Sequence, residues 1–236
     1  MKPTPGYTSI DLLGWMTFLT MTVGLYLIFM YAPTEQKMGI VQRIFYFHLP
    51  SAWTSFLAFF VVAVSSSLYL WRRERKWDRI AYASAEIGVV FCSLVLLTGP
   101  IWARPVWNVW WTWDPRLTTT LILWLMYVAY LMLRSSSESS KTSRFTAVFG
   151  ILAFLDVPLV YMSTRWWRTI HPKPVIGGEP GSSGLAPEMA LTLIVCLLGF
   201  TLFYLYLMVQ RISLEKLKDE IEEIKQNLET LKERSN

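Results

Sequence analysis

The sequence predicts an all-α integral membrane protein with six transmembrane helices, both termini cytoplasmic, and an amphipathic, coiled-coil-like helix at the C-terminal end. Three observations lead there. Of the 236 residues, 53% are hydrophobic and only 17% charged, where a soluble domain carries about a quarter charged residues. Six apolar stretches approach or reach the length of about 20 residues that a helix needs to cross a hydrocarbon core. Lys and Arg favour one side of those stretches, fifteen to seven with the C-terminal tail and nine to seven without it, the bias by which the charge rule assigns membrane orientation.

The six spans are 12–31, 53–71, 80–99, 117–133, 145–162 and 189–209. The first has the apolar run of a signal peptide but carries Asp11 and no small-x-small cleavage site, which favours a retained helix. The fourth and fifth are short. Asp114 and Pro115 supply an N-cap and a first-turn proline for the fourth, the residue types that open helices. A Ser-rich link, 134–144, joins the fourth to the fifth. Cys92 and Cys196 both sit inside apolar runs without CxxC spacing and read as buried thiols. Glu86 and Asp156 also fall inside spans, where an acid is costly and a functional candidate by default. Glu86 lies near the cytoplasmic end, and Asp156 nearer the middle, facing the bundle. Beyond the sixth span, Leu214, Leu217, Ile221, Ile224, Leu228 and Leu231 alternate spacings of three and four, a heptad seam. So short a seam is marginal alone. It reads either as a helix pairing with itself or a partner, or as a solvated continuation of the sixth span. The chain thus divides into a membrane domain, 1–209, with a Trp-rich outer loop at 100–116, and a cytoplasmic tail, 210–236.

Orientation follows from Lys and Arg. The connection WRRERKWDR at 71–79 holds five, and the whole inner side holds fifteen against seven outside. The net charge of +5 is spread over these short segments, so it marks membrane orientation and not a nucleic-acid surface. The outer connections are then 32–52, 100–116 and 163–188. The only two histidines, His48 and His171, fall in the first and third. Seven of the twelve tryptophans fall in the second and third. With six spans, these connections share one side whichever way the protein faces.

Two histidines beside one aromatic segment suit haem. Imidazole is the commonest metal ligand, and two of them would fill both axial positions of a porphyrin iron, an arrangement for carrying rather than oxygen chemistry. Zinc would need three or four protein ligands, and no outer cluster of Cys, Asp and Glu supplies them. Trp102, Trp107, Trp110, Trp111 and Trp113 offer flat faces and indole N–H groups to a planar apolar ligand. An interfacial aromatic belt explains isolated residues such as Trp15, Trp53 and Trp71, but five tryptophans in the twelve residues from 102 to 113 exceed it. Arg43, Arg104, Arg116, Arg165, Arg168 and Lys173 lie in the same outer connections, where they would meet either propionates or lipid head groups. Arg43 precedes His48 in KMGIVQRIFYFHLP, which reads as a short interfacial helix bordering the pocket. Asp114 can add a hydrogen bond to a pocket group beside its capping role.

These segments resemble a known family. GPIWARPVWNVWWTWDPRLTT at 99–119 is similar to the WWD signature of haem-handling membrane proteins. VQRIFYFHLPSAW at 41–53 and VPLVYMSTRWWRTIHPKP at 157–174 resemble the two histidine segments of its haem exporter protein C (CcmC) branch in cytochrome c maturation. The likeness extends over nearly the whole chain to about residue 209. It implies His48 and His171 as axial ligands, the tryptophan segment holding the porphyrin edge, and Arg43 and Arg116 near the propionates. It further implies haem b as the transported ligand and a site facing the periplasm from the bacterial inner membrane. The partners it implies are the periplasmic haem chaperone CcmE, the transporter subunits CcmA and CcmB, and the small membrane protein CcmD. The family usually carries Gly after its first and second signature tryptophans, where this chain has Ala103 and Asn108. Two other functions fit a chain of this kind: a WWD-type cytochrome c synthase, which is usually longer and has further histidines within its spans, and a permease for another apolar solute.

Overall fold

A computed structural model describes residues 9–135, 140–167, 171 and 185–235. Helix α1, Ser9–Tyr26, runs into a π-helical turn, Leu27–Tyr31, and a short 3-10 turn, Ile40–Ile44, precedes α2, Phe45–Arg72. Then follow α3 (Arg75–Trp107), α4 (Pro115–Ser135), α5 (Ser140–Phe154), α6 (Asp156–Trp166) and α7 (Pro187–Ser235). Among the described residues, six helical segments are long and apolar enough to cross a membrane.

The expected fifth span is one membrane segment, 143–166, built from two helices that meet at Leu155. Pro158 is the reason. It has no N–H to give the Phe154 carbonyl, and its ring crowds that same group. The backbone answers with a tighter bond from Leu155 N to Leu152 O, 3.1 Å. Asp156 therefore opens α6 and is buried. Pro50 in α2 and Pro100 and Pro105 in α3 leave their helices continuous. In α2, Ser51 Oγ donates to Phe47 O at 2.7 Å and Thr54 Oγ1 to Pro50 O at 2.8 Å, the back-bonding that hydroxyl side chains make within helices. Helix α7 crosses the expected domain boundary at 209/210 without a break.

The antiparallel pair α2 and α3 is the centre of the bundle. Helix α4 packs on α3, α5 and α6; α5 packs on α2; and α1 packs on α7, which also touches α2 and α3. Small buried residues recur on both helices of the α2–α3 pair, Ser55, Ala58 and Ala63 on one and Ala81, Ala85 and Gly88 on the other. Small residues let helix backbones approach where lipid supplies no hydrophobic drive. Ser84 Oγ donates to Ala58 O at 2.8 Å, so at its 2.8 Å contact with Tyr204 the tyrosine hydroxyl is the donor. That chain ties α7 to α3 to α2. Phe59 stacks on Tyr127 with centroids 3.7 Å apart and planes 8° from parallel. Two ion pairs, Arg134–Asp78 and Arg211–Glu86, close the end of the bundle away from the histidines.

A methyl at Gly88 would lie 2.5 Å from Phe59 Cε1 and 3.1 Å from Ala58 Cβ. The stacked Phe59 ring has nowhere to retreat. Gly88→Ala should therefore cost about 1–3 kcal/mol of stability. At Gly24 the methyl would meet only Cys196 Sγ at 3.7 Å, ordinary contact, so Gly24→Ala should be near neutral. Thermal unfolding of the two variants in detergent checks the contrast.

Candidate functional site

The two histidines arrive by different routes. His48 lies within the first turns of α2 and not in a connecting loop, because the helix starts at Phe45, eight residues before the expected span. The apolar stretch marks only the part of the helix that lipid surrounds. The short interfacial helix read over KMGIVQRIFYFHLP is in fact a 3-10 turn, Ile40–Ile44, leading directly into α2. His171 follows α6 in the connection to α7.

The Trp-rich segment is also more helical than a loop. Helix α3 continues through Trp102 and ends at Trp107, and 108–114 then crosses to α4. The turn out of α3 is made at Asn108, with φ 59° and ψ 24°. Left-handed geometry costs most side chains about 1–2 kcal/mol but suits Gly, and Asn better than most others. Asn108 is held there by its backbone N–H on Arg104 O at 3.0 Å, and by Arg104 Nη1, which donates to Asn108 O at 2.8 Å and to its side-chain oxygen. The position where the family usually has Gly is thus one where Asn serves the same turn.

Asp114 caps α4. Its Oδ1 accepts from Arg116 N at 2.9 Å and Leu117 N at 3.3 Å, while Oδ2 accepts from Thr112 Oγ1 at 2.9 Å. Pro115 stands at the first helical position, where a missing N–H is harmless. The cap sets the direction of Arg116, whose Nη1 reaches Val160 O on α6 at 3.4 Å.

These elements surround a cavity of about 860 Å³, a figure that includes space open to solvent. His48, His171, Trp102, Trp107, Trp110, Trp111 and Arg116 all line it. Its deeper wall comes from apolar and small residues of the membrane helices, among them Ala52, Phe56, Leu96, Gly99 and Val160. The indole N–H groups of Trp102 and Trp111 are buried with no hydrogen-bond acceptor among the described residues. Buried donors are costly to leave unpaired, so this wall suits a ligand that is flat and apolar with acceptors at its edge. Trp102 also meets the His48 ring edge-to-face, centroids 5.8 Å apart at 68°. Among the described residues no three His, Cys, Asp or Glu side chains converge as a metal site.

Three of the ten expected site residues stand off the cavity wall. Trp113 points outward, 75% exposed, with its ring edge on Trp111. Asp114 uses its carboxylate on the cap. Arg43 lies on the 3-10 turn with its guanidinium 5.7 Å from the Phe29 ring, since five residues of helical winding carry it well round the axis from His48. Of the other cations, Arg104 turns to Asn108 and Arg165 lies over Tyr161. Arg168 and Lys173 fall outside the described residues.

A family model described as heme exporter protein C matches residues 7–227. The chain belongs to the haem exporter protein C family. Two bacterial proteins of that name are similar to it. The one from Bradyrhizobium diazoefficiens is 35% identical over 199 residues, covering 83% of this chain and 75% of the relative. The one from Haemophilus influenzae is 31% identical over 210 residues, covering 89% and 85%. A cytochrome c biosynthesis ccmC-like mitochondrial protein of Marchantia polymorpha is 33% identical over 160 residues, 68% of each chain.

The capping geometry separates two roles for Asp114. Asp114→Ala should lose the α4 cap and about 1 kcal/mol of stability, whereas Asp114→Asn, which keeps a side-chain acceptor, should retain most of it. Denaturation of the three proteins, read by helical ellipticity, gives the comparison.

Proposed function

We propose that this chain binds haem b in the cavity at the His48 end of the bundle, with His48 and His171 as the axial ligands. In this reading it passes the haem to the periplasmic chaperone CcmE during cytochrome c maturation. The observation that carries the reading is convergence. Residues from α2, α3, the 108–114 crossing, α4 and the α6–α7 connection, far apart in sequence, meet around one cavity that contains both of the chain's histidines. Its surface suits haem in each part. Indole faces and aliphatic side chains would cover the porphyrin, Trp102 and Trp111 have N–H groups to offer the propionates, and Arg116 supplies a cation that pairs well with carboxylate.

Haem bound this way would be cargo. Two imidazoles leave no iron position open for oxygen or substrate, so the proposed role is delivery and not catalysis. The thiols support non-covalent binding: Cys92 and Cys196 are buried and neither lines the cavity, leaving no local thiol for the thioether of a c-type haem. Family membership supports work beside CcmA, CcmB and CcmD in the bacterial inner membrane. The distribution of Lys and Arg supports a cavity that faces the periplasm with both termini in the cytoplasm.

His48→Ala and His171→Ala should each abolish the six-coordinate low-spin absorption of haem-loaded protein while leaving the helical content unchanged. Persistence of that spectrum in the double variant, without added imidazole, would sink axial ligation by this pair. Trp110→Ala combined with Trp111→Ala should speed haem loss by at least about tenfold, given roughly 0.5–1.5 kcal/mol per aromatic contact beyond burial; Trp113→Ala should not. Transfer of haem to apomyoglobin measures both rates. For topology, single cysteines at Trp113 and Glu74 in a Cys92→Ala, Cys196→Ala background should behave oppositely in intact cells. The first should react with an impermeant thiol reagent and the second should be protected.

A further inference from the structure

The His48 ring has a second partner that the aromatic signature does not include. Its Nδ1 lies 2.8 Å from Thr98 Oγ1 on α3. The threonine hydroxyl has one proton, and the nearby carbonyl of Leu94, 2.7 Å away, can only accept. With that proton committed, the hydrogen bond between Thr98 and His48 needs Nδ1 to be the donor. The neutral ring then carries its hydrogen on Nδ1, and Nε2 keeps the lone pair. Thr98 and Trp102, four residues apart, lie on one face of α3, and both meet the His48 ring. Thr98 grips the ring nitrogen and Trp102 meets the ring edge-to-face. Gly99 leaves the side of Cε1 open: a methyl there would stand 3.6 Å from that atom.

We propose that Thr98 is the positioning residue of the site, fixing the tautomer and plane of His48 so that Nε2 is the nitrogen offered to iron. The inference rests on the reading of His48 as an axial ligand. Its chemistry is that of outer partners of metal-bound imidazole generally: an acceptor on the remote N–H orients the ring and raises its donor strength. Here the acceptor is a neutral hydroxyl, not a carboxylate, which makes a moderate donor and a ligand that can be released. Thr98 itself never touches the haem.

The test uses the full chain loaded with haem in detergent, and the variants Thr98→Val, Thr98→Ser and His48→Ala. Thr98→Val is nearly isosteric and keeps helix and packing but removes the acceptor. It should speed haem loss on the order of tenfold, admit a five-coordinate high-spin component in the resonance Raman spectrum, and shift the reduction potential. Thr98→Ser should restore all three. In a His48→Ala background, Thr98→Val should change nothing further, since its effect runs through that ring. Wild-type spectrum, potential and loss rate in Thr98→Val, with His48→Ala still defective, would overturn the role of Thr98 and leave His48 as ligand. A low-spin six-coordinate spectrum in His48→Ala would overturn both. Equal thermal midpoints for Thr98→Val and wild type separate a site effect from misfolding, and if Thr98→Val is unstable, Thr98→Ala gives the same comparison.

Discussion

Everything in this molecule hangs on the close approach of α2 and α3. The two helices both line the cavity: His48, Ala52, Ser55 and Phe56 from one, Leu96, Gly99, Trp102 and Trp107 from the other. The distance from His48 to Thr98 is therefore set by how tightly the helices pack lower down, where Ala58, Ala85 and Gly88 take the place of larger side chains. Ser84 fixes that approach with a hydrogen bond to the α2 backbone, and Tyr204 closes the network from α7. In a membrane, where apolar surface gains nothing by leaving lipid for protein, such short polar ties and small-residue contacts carry the association. A site built on two helices locked in this manner holds its geometry better than one built on loops.

Proline is handled in two ways, and the difference shapes the site. Pro50, Pro100 and Pro105 are absorbed into continuous helices, and all three stand near the cavity end of α2 and α3. Hydroxyl side chains near them bond back on their own helix, Ser51 and Thr54 in α2 and Thr98 in α3. Pro158 instead ends a helix, and the membrane segment restarts at Asp156 as α6. That restart delivers Val160 to the cavity wall beside Arg116.

Much of this was legible in the sequence, and what was not has physical causes. Hydropathy located all six spans but shortened most of them, because α2 and α3 continue through Pro50, Pro100 and Pro105, residues that in a sequence read as helix ends. His48, Trp102 and Trp107 looked like loop residues for that reason, though they are helical. The order of the spans brought the tryptophans and histidines together on one side, since alternate connections share a side whichever way the protein faces. It could not tell Trp111 from Trp113, which differ in the turn taken by one short crossing. Arg43 resembled a neighbour of His48 because sequence distance was small, and helical phase put it elsewhere. Thr98 gave no signal at all: a threonine in an apolar run reads as one more helical residue bonded back on its own turn, which it also is.

Helix α7 gives the fold an unusual proportion. Forty-nine residues in one helix make a rod of about 74 Å at 1.5 Å per residue, more than twice the hydrocarbon thickness. The last 17 residues, beyond Lys218 where the membrane-capable part ends, stand off by about 26 Å. Its bearing is not free, because Arg211 is clamped to Glu86 of α3, the helix that carries Thr98 and Trp102 at its other end. The protein is thereby a mast with its stay fastened to the same spar that forms the cavity wall. Anything that leaned on the exposed leucine and isoleucine seam would apply its load there.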